Sequence, residues 1–164
     1  MEQLTHIDEQ GNAVMVDVSA KDVTVREATA EGTILVGAEI LRLIQENGIA
    51  KGDVLAAARI AGVMACKKAS DIIPLCHPLP VTKAAVDFEI LPQKQAVRAF
   101  CTVKTEGKTG VEMEALTGVT AALLTVYDMC KAVSKEMVIS DVHLVRKSGG
   151  RSGEFIFGKA GTRL

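Results

Sequence analysis

The chain has few aromatic residues: among its 164 residues there is no Trp, one Tyr and four Phe. The core must therefore be aliphatic, and no series of aromatic side chains is available to stack nucleic-acid bases. An excess of one charge is also lacking, because 19 basic residues nearly balance 20 acidic ones and leave a formal net charge of −1. This balance gives no general attraction to nucleic acid or to a membrane, so neither is expected as a partner.

Disulfide spacing and long apolar runs are missing too. The four cysteines show no C-x-x-C spacing, and no signal-peptide pattern opens the chain, so reduced thiols and a cytoplasmic location are expected. No apolar run reaches the ~18 residues that a membrane helix needs. The length fits a single domain over residues 1–164, and mobile tails are expected over residues 1–11 and 158–164.

Hydrophobic patterning predicts an α+β domain. Two extended segments are expected over residues 14–18 and 23–30, helices over 33–46, 53–73 and 109–133, and strands over 81–91, 96–106 and 137–146. The order helix, strand, strand, helix, strand indicates one sheet with helices on one face. The small residues of AAARIAGVMAC predict that the second helix packs closely against another element or another subunit.

The helix over residues 109–133 has polar residues at both ends of one face. Glu114 lies near its start, and Asp128 and Lys131 lie near its end. At ~1.5 Å per residue, Glu114 and Asp128 are about 21 Å apart along the helix. A small reacting centre cannot contact both ends, so either the ligand is long or each site combines helix ends from different subunits.

Ordinary structural roles compete with functional ones for these polar residues. Thr109 and Glu112 match the T-x-x-E spacing of a capping box, in which side chains satisfy the free N–H groups of a helix start. Asp128 and Lys131 match a three-residue helical ion pair. However, an Asp near a helix C-terminus lies on the unfavourable side of the helix dipole, and this favours a functional role for Asp128.

The segment PLCHPLP holds Cys76 and His77 between prolines, in the restricted geometry that a binding site requires. A zinc site is not expected, because Cys66, Cys76 and His77 lack the usual short ligand spacing. The tail RKSGGRSG combines cations with glycines and predicts a mobile loop that closes over an anion. Many cations could neutralise a phosphate-rich ligand: Lys51, Arg59, Lys67, Lys68, Lys131, Arg146, Lys147 and Arg151.

Four motifs together, ARIAGVMACKKASDIIPLCHPL, KTGVEMEALTGV, YDMCKAV and KSGGRSG, resemble the molybdenum cofactor biosynthesis protein C family, the cyclic pyranopterin monophosphate synthases. The resemblance covers residues 13–157. It implies a ferredoxin-like α+β protomer, assembled as a homohexamer (a trimer of dimers) with active sites between subunits. It also implies a lyase without a cofactor, acting after a radical GTP cyclase. The implied substrate is 3′,8-cyclo-7,8-dihydroguanosine 5′-triphosphate, which becomes cyclic pyranopterin monophosphate and diphosphate.

The resemblance also implies the roles of individual residues. Asp128 is the expected catalytic acid or base, assisted by Lys131 and Lys51. The expected substrate-binding residues are Leu75, Cys76, His77, Glu112, Met113, Glu114, Lys67 and Lys147. A lysine among other cations has a lowered pKa, so Lys51 or Lys131 could act as a base.

Two other functions remain open on the sequence. A non-catalytic, oligomeric module that binds a nucleotide and regulates a partner is the main alternative, because ferredoxin-like folds often serve in this way. A metal-dependent hydrolase is the second alternative and ranks below the regulatory module.

Overall fold

The computed structural model describes residues 7, 8 and 10–159, and within them it has five strands and four helices. In chain order these are β1 (Thr24–Leu35), α1 (Ala38–Gln45), α2 (Val54–Cys66), α3 (Ala69–Ile72), β2 (Val81–Leu91), β3 (Ala96–Gly107), α4 (Glu112–Cys130), β4 (Val138–Ser148) and β5 (Phe155–Ile156). A 3₁₀ turn over Pro92–Lys94 joins β2 to β3. The expected mobile tails fall partly outside the described residues and stay a prediction.

The five strands form one antiparallel sheet in the order β2-β3-β1-β4-β5. The succession of β1, helices, β2, β3, α4 and β4 is the ferredoxin-like arrangement. Helices α2 and α4 pack against each other and against the sheet, over an aliphatic core that includes Ile34, Val97 and Leu123. Ion pairs such as that of Arg146 with Glu27, 2.7 Å apart, are more exposed than this core. The predicted α+β class, with helices packed on the sheet, is confirmed.

The first predicted helix is wrong in its opening residues. Residues 33–35 continue β1, where Ile34 is fully buried and pairs with Val97 on one side and Ile139 on the other. Burial between two neighbouring strands outweighs the helical spacing of these side chains. The predicted end of α1 is confirmed, because Asn47 has a left-handed φ of 51° and the Gly48 N–H donates to the Leu43 carbonyl at 2.8 Å.

Two other predicted boundaries change. Residues 14–18 form no strand; Val16 and Val18 face a cleft instead. The helix expected over residues 53–73 is interrupted at Lys67 and Lys68, which separate α2 from α3. Its start is as expected, because the Asp53 carboxylate accepts a hydrogen bond from the Ala56 N–H at 2.9 Å.

Close packing of α2 on α4 depends on two glycines, as the small residues of α2 predicted. A methyl group on Gly62 would lie 2.9 Å from the Gly118 carbonyl oxygen. A methyl group on Gly118 would lie 2.5 Å from the Cys66 Sγ and 2.6 Å from the Cys101 Sγ. These two thiols are buried and 3.5 Å apart. The two helices can therefore approach only where side chains are absent.

Gly118→Ala is expected to destabilise the protein by about 1–3 kcal/mol, because the added methyl group overpacks the two thiols. In an open helix the same change would stabilise by up to ~1 kcal/mol. Urea unfolding of the purified variant measures the difference. Adding Cys66→Ala should restore part of the loss, since it removes one of the clashing sulfur atoms. A single variant as stable as the parent would contradict this account of the helix contact.

Candidate functional site

The N-terminal end of α4 borders two adjoining clefts. The first, here called the anion cleft, has a volume of about 520 Å³. Its walls are the region around the start of β1 (Lys21, Asp22, Thr24, Arg26 and Glu27), residues 108–112 and residues 147–152. The second, here called the connector cleft, has a volume of about 290 Å³. It is lined by Val16, Val18, Lys21, Leu75, Cys76, His77, Leu79, Thr109, Gly110, Glu112, Met113 and Glu114.

The anion cleft is rich in positive charge. Lys21, Arg26, Lys108, Lys147 and Arg151 line it, against the carboxylates of Asp22, Glu27 and Glu112. The start of α4 adds the positive end of a helix dipole and free N–H groups, which favour a bound anion. A phosphate-bearing ligand therefore suits this cleft.

Some of these cations were not predicted. Lys147 and Arg151 were expected, whereas Lys21, Arg26 and Lys108 were missed. Lys108 did carry a signal, because it stands in Gly-Lys-Thr-Gly immediately before a helix, where anions bind. The side chain of Arg26 had no comparable signal, since it belongs to an ordinary strand.

Arg26 is held in place by backbone from two loops. Its Nε donates to the Gly107 carbonyl at 3.4 Å, and its Nη2 approaches the Lys108 carbonyl at 3.5 Å. Gly150, with φ 74°, lies directly against the guanidinium, and a methyl group there would overlap Nη1. The glycine loop therefore covers Arg26 only because it has no side chain at this position.

Gly150→Ala is expected to raise the KM for a phosphate-bearing substrate by about 10-fold or more, with a smaller effect on kcat. The methyl group must displace the Arg26 guanidinium, and φ 74° is a conformation that alanine rarely adopts. Steady-state kinetics measures the change. Gly153→Ala is the matched control, because Gly153 also has a positive φ of 64° but no atom lies within 4 Å of its added methyl group. Equal losses in the two variants would show that loop strain, and not Arg26, is responsible.

The connector cleft brings together residues that lie far apart in the sequence. Leu75, Cys76 and His77 come from the segment between α3 and β2, and Met113 and Glu114 come from the first turn of α4. The His77 Nε2 lies 2.8 Å from the Val16 carbonyl oxygen. A carbonyl oxygen can only accept a hydrogen bond, so the His77 Nε2 carries a proton. The Nδ1 atom is then left to contact a ligand or to accept a second proton.

Glu114 is a buried carboxyl group with only 4% of its surface exposed. Burial raises the pKa of Glu114, and the nearby charge of Glu112 raises it further. Burial also raises the pKa of the Cys76 thiol, with a smaller contribution from Glu114. Cys76 is therefore a neutral thiol that shapes the cleft, and it is not an activated thiolate nucleophile.

Glu112 does not form the capping box that its spacing suggested. Helix α4 begins at Glu112 itself, after Val111, and no side chain caps its first turn. The Glu112 carboxylate instead borders both clefts and lies 4.0 Å from the Lys147 Nζ. The structural alternative for Glu112 is therefore wrong, and its oxygen atoms are available to a ligand.

The other end of α4 carries a cluster of three charged side chains. Asp128 accepts a hydrogen bond from the Lys51 Nζ at 2.9 Å and pairs with the Lys131 Nζ at 2.6 Å. Lys51 also donates to the Asp128 backbone carbonyl at 2.9 Å. The predicted helical ion pair is present, but a third residue from outside the helix joins it. We call Lys51, Asp128 and Lys131 the lysine–aspartate cluster.

Electrostatics within this cluster differ from the expectation of a lysine base. The hydrogen bonds from Lys131 and Lys51 lower the pKa of Asp128 to about 2. The hydrogen bond between Lys131 and Asp128, together with the charge of Asp128, raises the pKa of Lys131. The prediction of a lowered lysine pKa is therefore wrong for Lys131 in the free protein. The cluster holds an ionised carboxylate and a protonated lysine near neutral pH.

Other predicted residues lie outside the two clefts and the lysine–aspartate cluster. Lys67 follows the last turn of α2 and lines neither cleft. Arg59 pairs with Asp87 at 3.1 Å, and Lys68 pairs with Asp71 at 3.2 Å.

Metal sites and membrane-spanning helices are both absent from the described residues. Over that part of the chain, no three or more His, Cys, Asp or Glu side chains lie where they could hold a metal ion. No described helix combines the length and the apolar composition needed to cross a bilayer.

Fold and clefts together define a small α+β protein with a cation-lined cleft at a helix N-terminus and a separate lysine–aspartate cluster at the other end of the same helix. The chain belongs to the MoaC family, whose family model matches residues 15–150.

This chain is similar to proteins from different organisms that bear the same name. It is 57% identical over 155 residues to a cyclic pyranopterin monophosphate synthase of Clostridium perfringens, covering 94% of this chain and 98% of that protein. A protein of the same name from Roseiflexus sp. is 57% identical, over 95% of this chain and 99% of its own length. A solved structure of the ferredoxin protease FusC with Arabidopsis ferredoxin gives 15% identity and a TM-score of 0.33, covering 69% of this chain and 11% of that chain. That likeness carries no argument.

Proposed function

We propose that the protein is a cyclic pyranopterin monophosphate synthase of molybdenum cofactor biosynthesis. It converts 3′,8-cyclo-7,8-dihydroguanosine 5′-triphosphate into cyclic pyranopterin monophosphate and releases diphosphate, which makes it a lyase. Membership of the MoaC family and the shared name of its relatives support this reaction. One structural observation carries most weight: five cations line a cleft that opens directly beside a second cleft bearing carboxylates.

The two clefts suit the two halves of the substrate. Lys21, Arg26, Lys108 and Lys147 in the anion cleft would bind the triphosphate and stabilise the negative charge on the departing diphosphate. In the connector cleft, Glu114 and His77 would hydrogen-bond the amino and ring N–H groups derived from guanine. Glu112 borders both clefts, so it would contact the substrate where the two halves join.

Proton transfer is assigned to the lysine–aspartate cluster. Rebuilding the purine ring requires several proton transfers, and general acid–base catalysis contributes about 10²–10⁴-fold to such steps. With a pKa of about 2, Asp128 is ionised at neutral pH and orients both lysines. Lys131, protonated and paired with this carboxylate, would serve as a proton donor. Lys51 pairs with one oxygen of the Asp128 carboxylate and Lys131 with the other. From that position, Lys51 would contact the reacting part of the substrate.

Assembly of several subunits would bring the cluster to the clefts. Large apolar side chains are exposed on the outer faces of the helices: Ile60 (66%) and Met64 (51%) on α2, and Leu124 (55%) on α4. Exposed apolar patches of this kind are typical of protein interfaces. Leu124 lies one helical turn before Asp128, so an interface over Leu124 would set Asp128 beside a neighbouring subunit. The assembly proposed is a homohexamer, a trimer of dimers, with interfacial active sites.

The proposal includes a cytoplasmic location and an upstream enzyme. The substrate contains a carbon–carbon bond between the sugar and the purine, and forming it from GTP requires radical chemistry, so a radical GTP cyclase must supply it. No cofactor is assigned, and Lys67, outside both clefts of its own subunit, would act toward a neighbour's site.

Incubation of the purified protein with the cyclised nucleotide tests the proposed function. Phosphorus NMR should show a cyclic phosphate and diphosphate appearing together, at the same rate with and without a chelator. Binding of the nucleotide without either product would instead support a regulatory module. Turnover abolished by the chelator would support a metal-dependent enzyme.

A further inference from the structure

We propose that Thr105, a residue outside both clefts, is a positioning residue: its hydroxyl fixes the connector (residues 74–80) on the sheet and so sets where His77 meets the substrate. The inference rests on the proposed role of the connector cleft. Thr105 is fully buried on β3, opposite Val81 in the strand register. Its Oγ1 donates a hydrogen bond to the Pro80 carbonyl at 2.6 Å.

Leu79 packs against the core, but among the described residues the connector makes few hydrogen bonds to the sheet. Three of its seven residues are prolines, which have no N–H to donate. The regular pairing of β2 with β3 is disturbed between Val81 and Lys83, directly after the connector. Its backbone hydrogen bonds are local, from the Cys76 N–H to the Ile73 carbonyl at 3.1 Å and from the Val81 N–H to the Leu79 carbonyl at 3.0 Å. Thr105 thus supplies a tertiary anchor at the end of the connector.

Two walls of the connector cleft meet near this anchor. Thr105 lies two residues before Gly107, where the chain leaves β3 for the loop that carries Thr109 and Gly110 to the cleft. A methyl group on Gly107 would be 3.7 Å from the Thr105 methyl group and 3.9 Å from the Leu79 Cδ2. The connector, the loop and Thr105 are therefore in close contact. A shift of the Pro80 carbonyl would move the connector relative to the loop.

His77 is then held from two directions. Its imidazole Nε2 donates to the Val16 carbonyl at 2.8 Å, and its backbone is three residues from the carbonyl that Thr105 anchors. The Thr105 hydroxyl acts on the reaction through the connector, because it lines neither cleft itself.

Thr105→Val tests the role of the hydroxyl, because valine keeps the shape of threonine and leaves the Pro80 carbonyl without its donor. We expect kcat/KM to fall by about 10- to 100-fold, since small errors in the placement of reacting groups are costly. Thr105→Ser keeps the hydroxyl and should stay within about threefold of the parent. Thr82→Val is the matched control: the Thr82 hydroxyl also bonds a carbonyl, that of Lys104 at 3.0 Å, but Thr82 is exposed and lines neither cleft.

Histidine NMR provides the readout that a purely structural role would not move. The His77 imidazole resonances should shift in Thr105→Val and return in Thr105→Ser, while those of His143, on β4, stay unchanged. If Thr105→Val does not fold, Thr105→Ala compared with Thr105→Ser isolates the hydroxyl in the same way. Unchanged kcat/KM with unchanged His77 resonances in the variant lacking the hydroxyl would overturn the inference. Absence of turnover in the parent protein would overturn the proposed function instead, and the NMR comparison would still test Thr105.

Discussion

Asp128→Asn is expected to lower kcat by about 10²–10⁴-fold, the range that general acid–base catalysis contributes. The amide keeps the shape of the carboxylate but not its charge, so it cannot orient two ammonium groups. Because the pKa of Asp128 is about 2, the carboxylate is already ionised at neutral pH. The loss should therefore be similar at every pH between about 5 and 8.

Asp71→Asn is the matched control for this prediction. Asp71 also pairs with a lysine three residues away, Lys68 at 3.2 Å, and it is similarly exposed. It lines neither cleft, so kcat should stay unchanged. Circular dichroism and the Tm should show both variants folded, because exposed ion pairs contribute little to stability. Near-normal turnover by folded Asp128→Asn would remove Asp128 from the catalytic machinery.

Mixing two inactive variants is expected to restore about a quarter of the parent activity, if each site takes Glu114 from one subunit and Asp128 from another. Glu114→Gln and Asp128→Asn each disable one end of α4. In randomly mixed oligomers, one site in about four receives an intact end from each variant. The measurement is specific activity after the two proteins are unfolded together and refolded, compared with each variant refolded alone.

A second mixture provides the control. Lys51 and Asp128 belong to the same cluster within one chain, 2.9 Å apart. Mixing Lys51→Ala with Asp128→Asn can therefore never produce an intact cluster, and no activity should return. Recovery in this control would show exchange or contamination. An absence of recovery in the Glu114 and Asp128 mixture, from oligomers that have assembled, would contradict a site shared between subunits.

Local pattern was sufficient for part of the fold. Residues 81–91 were predicted as a strand with the bounds that β2 has, because Val86, Phe88 and Ile90 alternate with polar residues and a proline follows, although the alternation is imperfect at Ala84 and Ala85. The pattern failed at residues 33–35, where Ile34 continues the helical spacing of the segment that follows although the β-branched Thr33 and Ile34 favour a strand. The neighbouring strands on both sides, which a local pattern does not show, decide between the two.

The sequence likewise identified some residues of the candidate site and not others. Cys76, His77, Glu112 and Glu114 stand in short motifs and could be selected from the sequence. Arg26 could not, because its environment is made by Gly107 and Gly150, which are distant in the chain. The direction of the Lys131 pKa shift could not be predicted from the sequence either, because it depends on the hydrogen bond with Asp128. Convergence of distant residues needs the three-dimensional structure.

The proposed site would unite the start of one α4 helix with the end of another. Within one chain, Glu114 and Asp128 are about 21 Å apart along α4, and the clefts adjoin only the Glu114 end.

A crystal structure of Asp128→Asn with the cyclised nucleotide bound measures this directly. We predict that the triphosphate lies in the anion cleft of one subunit, with Glu114 of that subunit contacting the purine-derived rings. Lys51 and Lys131 of a neighbouring subunit should lie within about 4 Å of the same nucleotide. A nucleotide contacted by a single subunit, with the lysine–aspartate clusters of all subunits distant from it, would contradict the account.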